Sequence, residues 1–124
     1  MSRLAILLGS GNAALAILLA AFTAHVLPSS WAESRLSTFQ TAVDYHLYHA
    51  LSLIVVGILL NQRSNSKFLK IAVAAMLGGM VIFCGSLYLL SLTELVWPGR
   101  FTPFGGITLI GSWVLIMIAY MNAK

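Results

Sequence analysis

Long hydrophobic segments separated by short polar ones make up nearly the whole chain. Four stretches contain no Asp, Glu, Lys or Arg, and they are bounded by Arg3 and Glu33, by Asp44 and Arg63, by Lys70 and Glu94, and by Arg100 and Lys124. A helix that rises 1.5 Å per residue needs about 20 apolar residues to cross a bilayer core of about 30 Å. The pattern therefore predicts four transmembrane helices, close to residues 4–26, 42–60, 68–92 and 104–120.

These segments are continuous and lack the two-residue alternation of outer-membrane strands, so helices are expected rather than a β-barrel. The first segment follows Arg3 as a signal peptide would, but its apolar run exceeds the 7–15 residues of a signal core, so we expect it to be retained. No repeat or linker divides the chain. The fold class expected is an all-α membrane protein, with residues 1–124 forming a single transmembrane domain folded as a four-transmembrane-helix bundle.

Composition supports a membrane protein. Hydrophobic residues make up 60% of the chain and charged residues 8%, and the mean hydropathy is +0.94, whereas soluble domains carry about 25% charged residues. The net charge of +4 comes from cations scattered between apolar runs rather than clustered on one face, so nucleic-acid binding is not expected. The lone Cys84 excludes an intramolecular disulfide and a multi-cysteine metal site.

The Lys and Arg residues also predict the orientation, because cytoplasmic loops carry an excess of them. With the N-terminus inside, five cations lie on the inner side, namely Arg3, Arg63, Lys67, Lys70 and Lys124. Only Arg35 and Arg100 then lie outside. Both termini are therefore expected in the cytoplasm.

Two outer connections carry local signals. Ser30 and Glu33 have the spacing of a capping box, which predicts a short amphipathic surface helix in the first outer loop, running into the second span. Thr102 and Pro103 suit the start of the fourth helix.

Small residues are spaced so that two spans can pack closely. On the first span they are Gly9, Ala13, Ala16, Ala20 and Ala24, and on the third they are Ala74, Gly78 and Gly85. We interpret both sets as packing faces inside the bundle. The alternative is that one of them faces a second copy or another membrane subunit.

Polar residues gather toward the outer end of the predicted bundle. The set comprises His25, Asp44, Tyr45, His46, Tyr48, His49, Ser52, Ser86 and Tyr88. Polar groups are costly against lipid, so we expect the face of the second span that carries Thr41, Tyr45, Tyr48, His49 and Ser52 to turn into the bundle. Asp44 is expected to pair with Arg35 or Arg100.

Three interpretations of this cluster remain open from the sequence. The simplest is a hydrogen-bonded network that joins the helices. The second is a metal or cofactor site with His25, His46 and His49 as candidate ligands, and the third is a path for a substrate or a proton. We expect no catalytic residue, no metal and no cofactor, because a pair of histidines three residues apart is a weak signal.

Four stretches carry a resemblance to a known family. They are Ala20-Ala-Phe-Thr-Ala-His-Val-Leu27, Thr41-Ala-Val-Asp-Tyr-His-Leu-Tyr-His-Ala-Leu51, Phe83-Cys-Gly-Ser-Leu-Tyr88 and Thr102-Pro-Phe-Gly-Gly106. In this order, over essentially the whole chain, they resemble the YgdD/YwdK-like small inner-membrane proteins, also called domain of unknown function 423 or the UPF0382 type. The resemblance implies four spans in the bacterial inner membrane and implies no activity.

The function expected is that of a non-enzymatic accessory or scaffold bundle. Its expected partners are membrane lipid and either a second copy or another membrane protein subunit. One alternative is a small transporter or channel component that uses the His/Tyr cluster. The other is a metal- or cofactor-binding membrane protein.

Overall fold

The computed structural model describes residues 1–121, and nearly all of them are helical. The helices are α1 (Ser2–His25), α2 (Glu33–Gln62), α3 (Lys67–Thr93), a short 3₁₀ helix (Trp97–Arg100) and α4 (Thr102–Met121). Four segments are long and apolar enough to cross a membrane, and they correspond to α1, α2, α3 and the 3₁₀ helix together with α4. The prediction of an all-helical chain with four such helices is confirmed. Lys124, counted above for the orientation, lies outside the described residues.

Helices that follow one another in the chain pack against one another. Extensive contacts join α1 to α2, α2 to α3 and α3 to α4, while other pairs of these long helices meet at few points. The bundle is therefore an open row with α2 and α3 in the middle. Its core consists mainly of fully buried apolar side chains from those two helices, among them Leu53, Val56, Leu60, Leu69, Val73, Met76 and Met80.

The two ends of the bundle differ. At one end, here called the turn end, the short 63–66 turn joins α2 to α3. The guanidinium of Arg63 lies 4.3 Å from the centre of the Tyr120 ring, and Gly57 lies beside the Ser2 carbonyl, so both outer helices have their chain-terminal ends there. The opposite end, here called the loop end, carries the 26–32 and 94–101 connections.

Glycines allow the outer helices to approach the middle pair closely. A Cβ atom on Gly105 of α4 would lie 2.4 Å from the backbone nitrogen of Phe83, and one on Gly9 of α1 would lie 2.8 Å from the Ala50 carbonyl oxygen. The small-residue face predicted for α1 is thus partly used inside the bundle. The one predicted for α3 is wrong, because Gly78 and Gly85 have no neighbour within 4 Å of a Cβ position. Helix α3 instead packs through Gly79, against Leu109 of α4.

Helix α2 begins nine residues before the predicted second span. It runs through 30 residues without a break, its N-cap is Ala32, and no side chain caps it, so the capping box at Ser30 is not formed and the segment predicted as a surface helix is the first part of α2. The reason is Phe39, which is fully buried. Its ring packs on those of Phe22, Trp31 and Tyr88, with centroids 6.4, 6.3 and 5.3 Å away, and this holds the first turns of α2 in the bundle.

Arg35 joins the start of α2 to the end of α3. Its guanidinium donates to the carbonyl oxygens of Ser91 and, at 3.2 Å, Leu92, which the last turn of a helix leaves without partners. It also pairs with Glu94 at 2.8 Å. The predicted pairing of Asp44 with Arg35 is therefore wrong: Asp44 instead accepts a hydrogen bond from Gln40 at 2.8 Å. Pairing with Arg100 is not observed either among residues 1–121.

Candidate functional site

The central feature of the candidate site is His46, which is 5% exposed. Its Nδ1 atom lies 3.0 Å from the hydroxyl of Tyr88 on α3. Its Nε2 atom lies 2.9 Å from Oδ1 of Asn12 on α1. A single imidazole on α2 therefore bonds to both neighbouring helices.

The hydrogen bonds of Asn12 determine which nitrogen of His46 carries the proton. The Asn12 amide nitrogen donates to the Leu8 carbonyl at 2.8 Å, so its Oδ1 atom faces His46 as an acceptor. Nε2 of His46 must then be the donor, and in a neutral ring Nδ1 accepts from the Tyr88 hydroxyl. The result is one directed chain of hydrogen bonds from Tyr88 through His46 and Asn12 to a backbone carbonyl.

His49, which is 7% exposed, has a different set of partners. Its Nδ1 atom donates to the Tyr45 carbonyl at 2.8 Å. Its Nε2 atom accepts from the indole N–H of Trp113 on α4 at 3.4 Å, a long and therefore weak bond. The two histidines are thus opposite neutral tautomers, and they connect α2 to different helices.

A third polar contact lies between α3 and α4. The buried Ser86 hydroxyl lies 2.6 Å from the Thr102 hydroxyl and 2.9 Å from the Phe83 carbonyl, to which it donates. Thr102 therefore donates to Ser86 and holds the start of α4, the position that the sequence predicted for that helix end.

The structure divides the predicted inward face of α2. The histidines are buried, but Tyr45 is 41% and Tyr48 58% exposed, and Asp44, Thr41 and Ser52 are only half-buried. The prediction that this face turns into the bundle is therefore wrong for the tyrosines. The faces of α2 that contact α1 and α3 are filled by apolar side chains and imidazoles, which leaves the tyrosines outside.

His25 does not join the other two histidines. It is the exposed last residue of α1, and it lies 13 residues, or about 20 Å of helix, beyond Asn12. Within residues 1–121 no three His, Cys, Asp or Glu side chains are close enough together to hold a metal. The three-imidazole arrangement considered from the sequence is therefore not formed by the described residues.

Two open grooves flank the hydrogen-bonded histidines. One of about 260 Å³ lies between α1 and α3, with Asn12, His46, Cys84 and Tyr88 in its lining. The other, of about 350 Å³, lies beside α4 and is lined by Tyr45, His49, Phe83 and Trp113, among others. Every buried side-chain nitrogen or oxygen in the described part of the chain has a hydrogen-bond partner. The ring nitrogens of both histidines beside these grooves are thus occupied by hydrogen bonds within the bundle.

The sequence analysis missed two members of this network, Asn12 and Trp113. An amide in the middle of an apolar span must find a hydrogen-bond partner, so the position of Asn12 in α1 was a usable signal. For Trp113 no such signal existed, because an indole in a span packs equally well against lipid or protein.

Comparisons with known proteins find relatives that are named as membrane proteins. The family described as "Protein of unknown function (DUF423)" matches residues 19–106. The UPF0382 membrane protein YwdK of Bacillus subtilis is 43% identical over 114 residues, covering 92% of this chain and 93% of its own.

Two further relatives are more distant in sequence. The UPF0382 membrane protein SAB0533 of Staphylococcus aureus is 35% identical, with 94% of each chain covered. The UPF0382 inner membrane protein YgdD of Escherichia coli is 28% identical, with 99% of this chain and 93% of its own covered. No solved structure matches. The resemblance found in the sequence is confirmed, and the chain belongs to the DUF423 family of UPF0382 membrane proteins.

Proposed function

We propose that this chain is a non-enzymatic accessory or scaffold protein of the bacterial inner membrane, which acts through contacts with other membrane proteins or with lipid. The observation that carries the proposal is the use of the buried polar groups. Both ring nitrogens of His46 bond to neighbouring helices, and those of His49 bond to its own helix and to α4, so these side chains join helices.

The energetic scale fits this role. Hydrogen bonds between helices in a membrane are worth about 0.6–2 kcal/mol each. The contacts of His46 with Asn12 and Tyr88 join α1, α2 and α3, and the contact of Ser86 with Thr102 joins α3 to α4. These few bonds hold the open row of helices in one arrangement.

The outer surface of the bundle is where contacts with partners are available. The described connections between helices are short, and each helix presents exposed apolar side chains, for example Leu18, Leu51, Val81 and Ile110. Most of the described surface therefore lies on transmembrane helices, and the partners of such a protein are membrane components.

The proposal includes an orientation with both termini in the cytoplasm. Arg3, Arg63, Lys67 and Lys70 all belong to the turn end of the bundle, whereas Arg35 and Arg100 belong to the loop end. The excess of cations at one end supports its placement on the cytoplasmic side. The name of the YgdD relative, an inner membrane protein, supports the choice of membrane.

Site-specific photocrosslinking in cells tests the proposed function. A photoreactive amino acid replaces one exposed residue on each helix in turn (Leu18, Leu51, Val81 and Ile110), with the buried Leu53 as the control. We expect at least one exposed position to yield a discrete crosslinked protein species at native expression levels, and Leu53 to yield none. A lone monomer at all four positions, and in mild detergent, would overturn a role through protein contacts. Reproducible enrichment of one lipid class would then support the lipid alternative.

A second candidate function is a component of a small transporter or channel. The observation that favours it is the directed chain Tyr88–His46–Asn12 beside an open groove. A flux assay in liposomes compares the wild type with two variants. His46→Ala interrupts the Tyr88–His46–Asn12 hydrogen bonds, and His25→Ala is the control because His25 takes no part in them. Flux that only His46→Ala abolishes would establish this candidate, and equal leak in all three proteins would eliminate it.

A further inference from the structure

A stripe of polar residues runs along the outward face of α2. Its members, here called the α2 stripe, follow steps of four, three, four and four residues and so share one side of the helix; they are Ser37, Thr41, Asp44, Tyr48 and Ser52. All five are exposed or half-buried. They stand on the opposite side of α2 from the fully buried Phe39 and Leu53. The bundle therefore presents polar side chains on a surface that no helix of this chain covers.

Much of the α2 stripe lies at the depth of the lipid tails. Helix α3 carries no charged residue from Ile71 to Thr93, and the guanidinium of Arg35 reaches the Leu92 carbonyl near the end of that segment. Asp44 lies nine residues below Arg35, or about 13 Å, and about 24 Å above Leu60 at the turn end. Tyr48 and Ser52 lie deeper still. A carboxyl group in contact with acyl chains is costly, and in known proteins such groups face protein or a water-filled cavity.

The stripe also has unused hydrogen-bonding capacity. Asp44 accepts one bond, from Gln40 to Oδ1, and a carboxylate can accept several. The Tyr48 hydroxyl has no partner among residues 1–121, and its side chain is 58% exposed. The hydroxyls of Thr41 and Ser52 bond to carbonyls of their own helix, at 2.9 and 2.7 Å, so these small residues allow another helix to come close.

We propose that a second copy of this chain covers the α2 stripe, with the two α2 helices side by side and parallel. The inference rests on the proposed function and names the partner and the surface. The membrane gives both copies the same orientation, so a two-fold axis relating them runs along the membrane normal. One stripe then faces the other.

Self-complementarity is the reason for choosing a second copy. Asp44 is an acceptor and the Tyr48 hydroxyl is a donor, and they stand one helical turn apart on the same face. In a two-fold pair each Tyr48 donates to Asp44 of the other copy, a distance that a tyrosine side chain can reach. The pair therefore forms two such hydrogen bonds, and each Tyr48 hydroxyl and each Asp44 carboxylate gains a partner. Such an interface uses the same patch on both subunits.

Disulfide trapping in native membranes tests the position of the interface. In a Cys84→Ala background, single cysteines replace Thr41 or Ser52 on the stripe. The matched controls on α1 are Leu18 for Thr41 and Leu7 for Ser52. Gly9 packs level with Ala50 and Ile54, and this alignment of the two helices places each control at a depth similar to that of its stripe position. A disulfide requires Cβ atoms about 4 Å apart. We expect mild oxidation to link copies through the stripe cysteines at least fivefold more efficiently than through the controls.

Tyr48→Phe tests the chemistry of the interface. The substitution removes only a hydroxyl that has no partner within residues 1–121, so the monomer should fold as before. We expect self-association in liposomes, measured by energy transfer between labelled copies, to weaken about tenfold, since two symmetric bonds are lost. Tyr120→Phe, at the turn end, should leave association unchanged.

The outcomes separate this inference from the proposed function. Equal linking at stripe and control positions, or unchanged association of Tyr48→Phe, would overturn the second copy. A different protein crosslinked at the stripe would also overturn it, while leaving the scaffold role intact. No crosslinked protein at the stripe or at any other exposed position would overturn the second copy and the role through protein contacts, and would leave only the lipid alternative of the proposed function.

Discussion

Residues of one type have different roles in this bundle according to the side of the helix on which they lie. His46 and His49 are both buried on α2, yet each is held in a different tautomer by its partners. Tyr88 points inward and donates to an imidazole, whereas Tyr48 points outward. The two phenols therefore provide a matched pair for separating a hydrogen bond within the monomer from one between copies.

Removing the Tyr88 hydroxyl should destabilise the monomer. Tyr88→Phe leaves Nδ1 of His46 without its donor, and we expect the free energy of unfolding to fall by about 1–2 kcal/mol. Tyr48→Phe makes the same chemical change at an outward position, and its free energy of unfolding should stay within about 0.5 kcal/mol of the wild-type value. Unfolding of the monomer in detergent, followed by circular dichroism while SDS is titrated in, measures both. Equal effects would show that the His46–Tyr88 bond does not stabilise the fold.

At the level of single residues the sequence predicted the polar network only in part. Hydropathy and spacing correctly indicated that His46, His49 and Ser86 are buried and that Tyr88 joins the polar contacts of the bundle, but His25 is exposed. They failed for Tyr45 and Tyr48, because a helical wheel groups neighbours within an arc and does not tell which edge of the arc faces the bundle. That boundary depends on how α1, α3 and α4 are arranged around α2, which is a property of the tertiary structure.

Among the helices, the predicted limits agree best where charges flank an apolar run. Helices α1, α3 and α4 begin and end within two residues of prediction. The exception is the start of α2 at Glu33. The polar residues between Glu33 and Asp44 resemble a loop or a surface helix. Helix α2 extends through them because rings from α1 and α3 bury Phe39, and such long-range contacts cannot be seen in the local sequence.

Close helix contacts at glycine lead to a prediction for α4. Gly105→Ala would place a methyl group 2.4 Å from the backbone of Phe83, which cannot move as a side chain can. We expect α3 and α4 to be forced apart and stability to fall by about 2–3 kcal/mol, the scale of overpacking in cores. The midpoint of thermal unfolding in detergent measures the loss.

Gly111→Ala provides the control on the same helix. A Cβ atom there has no neighbour within 4 Å, and alanine favours helix more than glycine does. We expect this variant to be as stable as the wild type or slightly more stable. If both alanine variants unfold at the wild-type midpoint, the contact between Gly105 and Phe83 does not hold α4 in place.

At the scale of the whole molecule, the open row of helices gives the bundle two exposed sides and two chemically different ends. The sides offer apolar surface and the α2 stripe to other membrane components. The ends differ in the number of cations, since the turn end includes Arg63, Lys67 and Lys70 whereas Arg35 of the loop end is engaged with Glu94. This asymmetry is the basis of the proposed orientation in the membrane.

The proposed orientation predicts which cysteines a reagent outside the cell can reach. In a Cys84→Ala background, Ser29→Cys lies in the 26–32 connection of the loop end and Ser64→Cys in the 63–66 turn, and both positions are exposed. With the turn end in the cytoplasm, a membrane-impermeant maleimide should label the Ser29 variant in spheroplasts and the Ser64 variant only after permeabilisation. Lys67→Gln together with Lys70→Gln removes two of the cations that fix the direction, so part of the population should then label at Ser64 without permeabilisation. The reverse pattern in the unaltered background would place the termini outside.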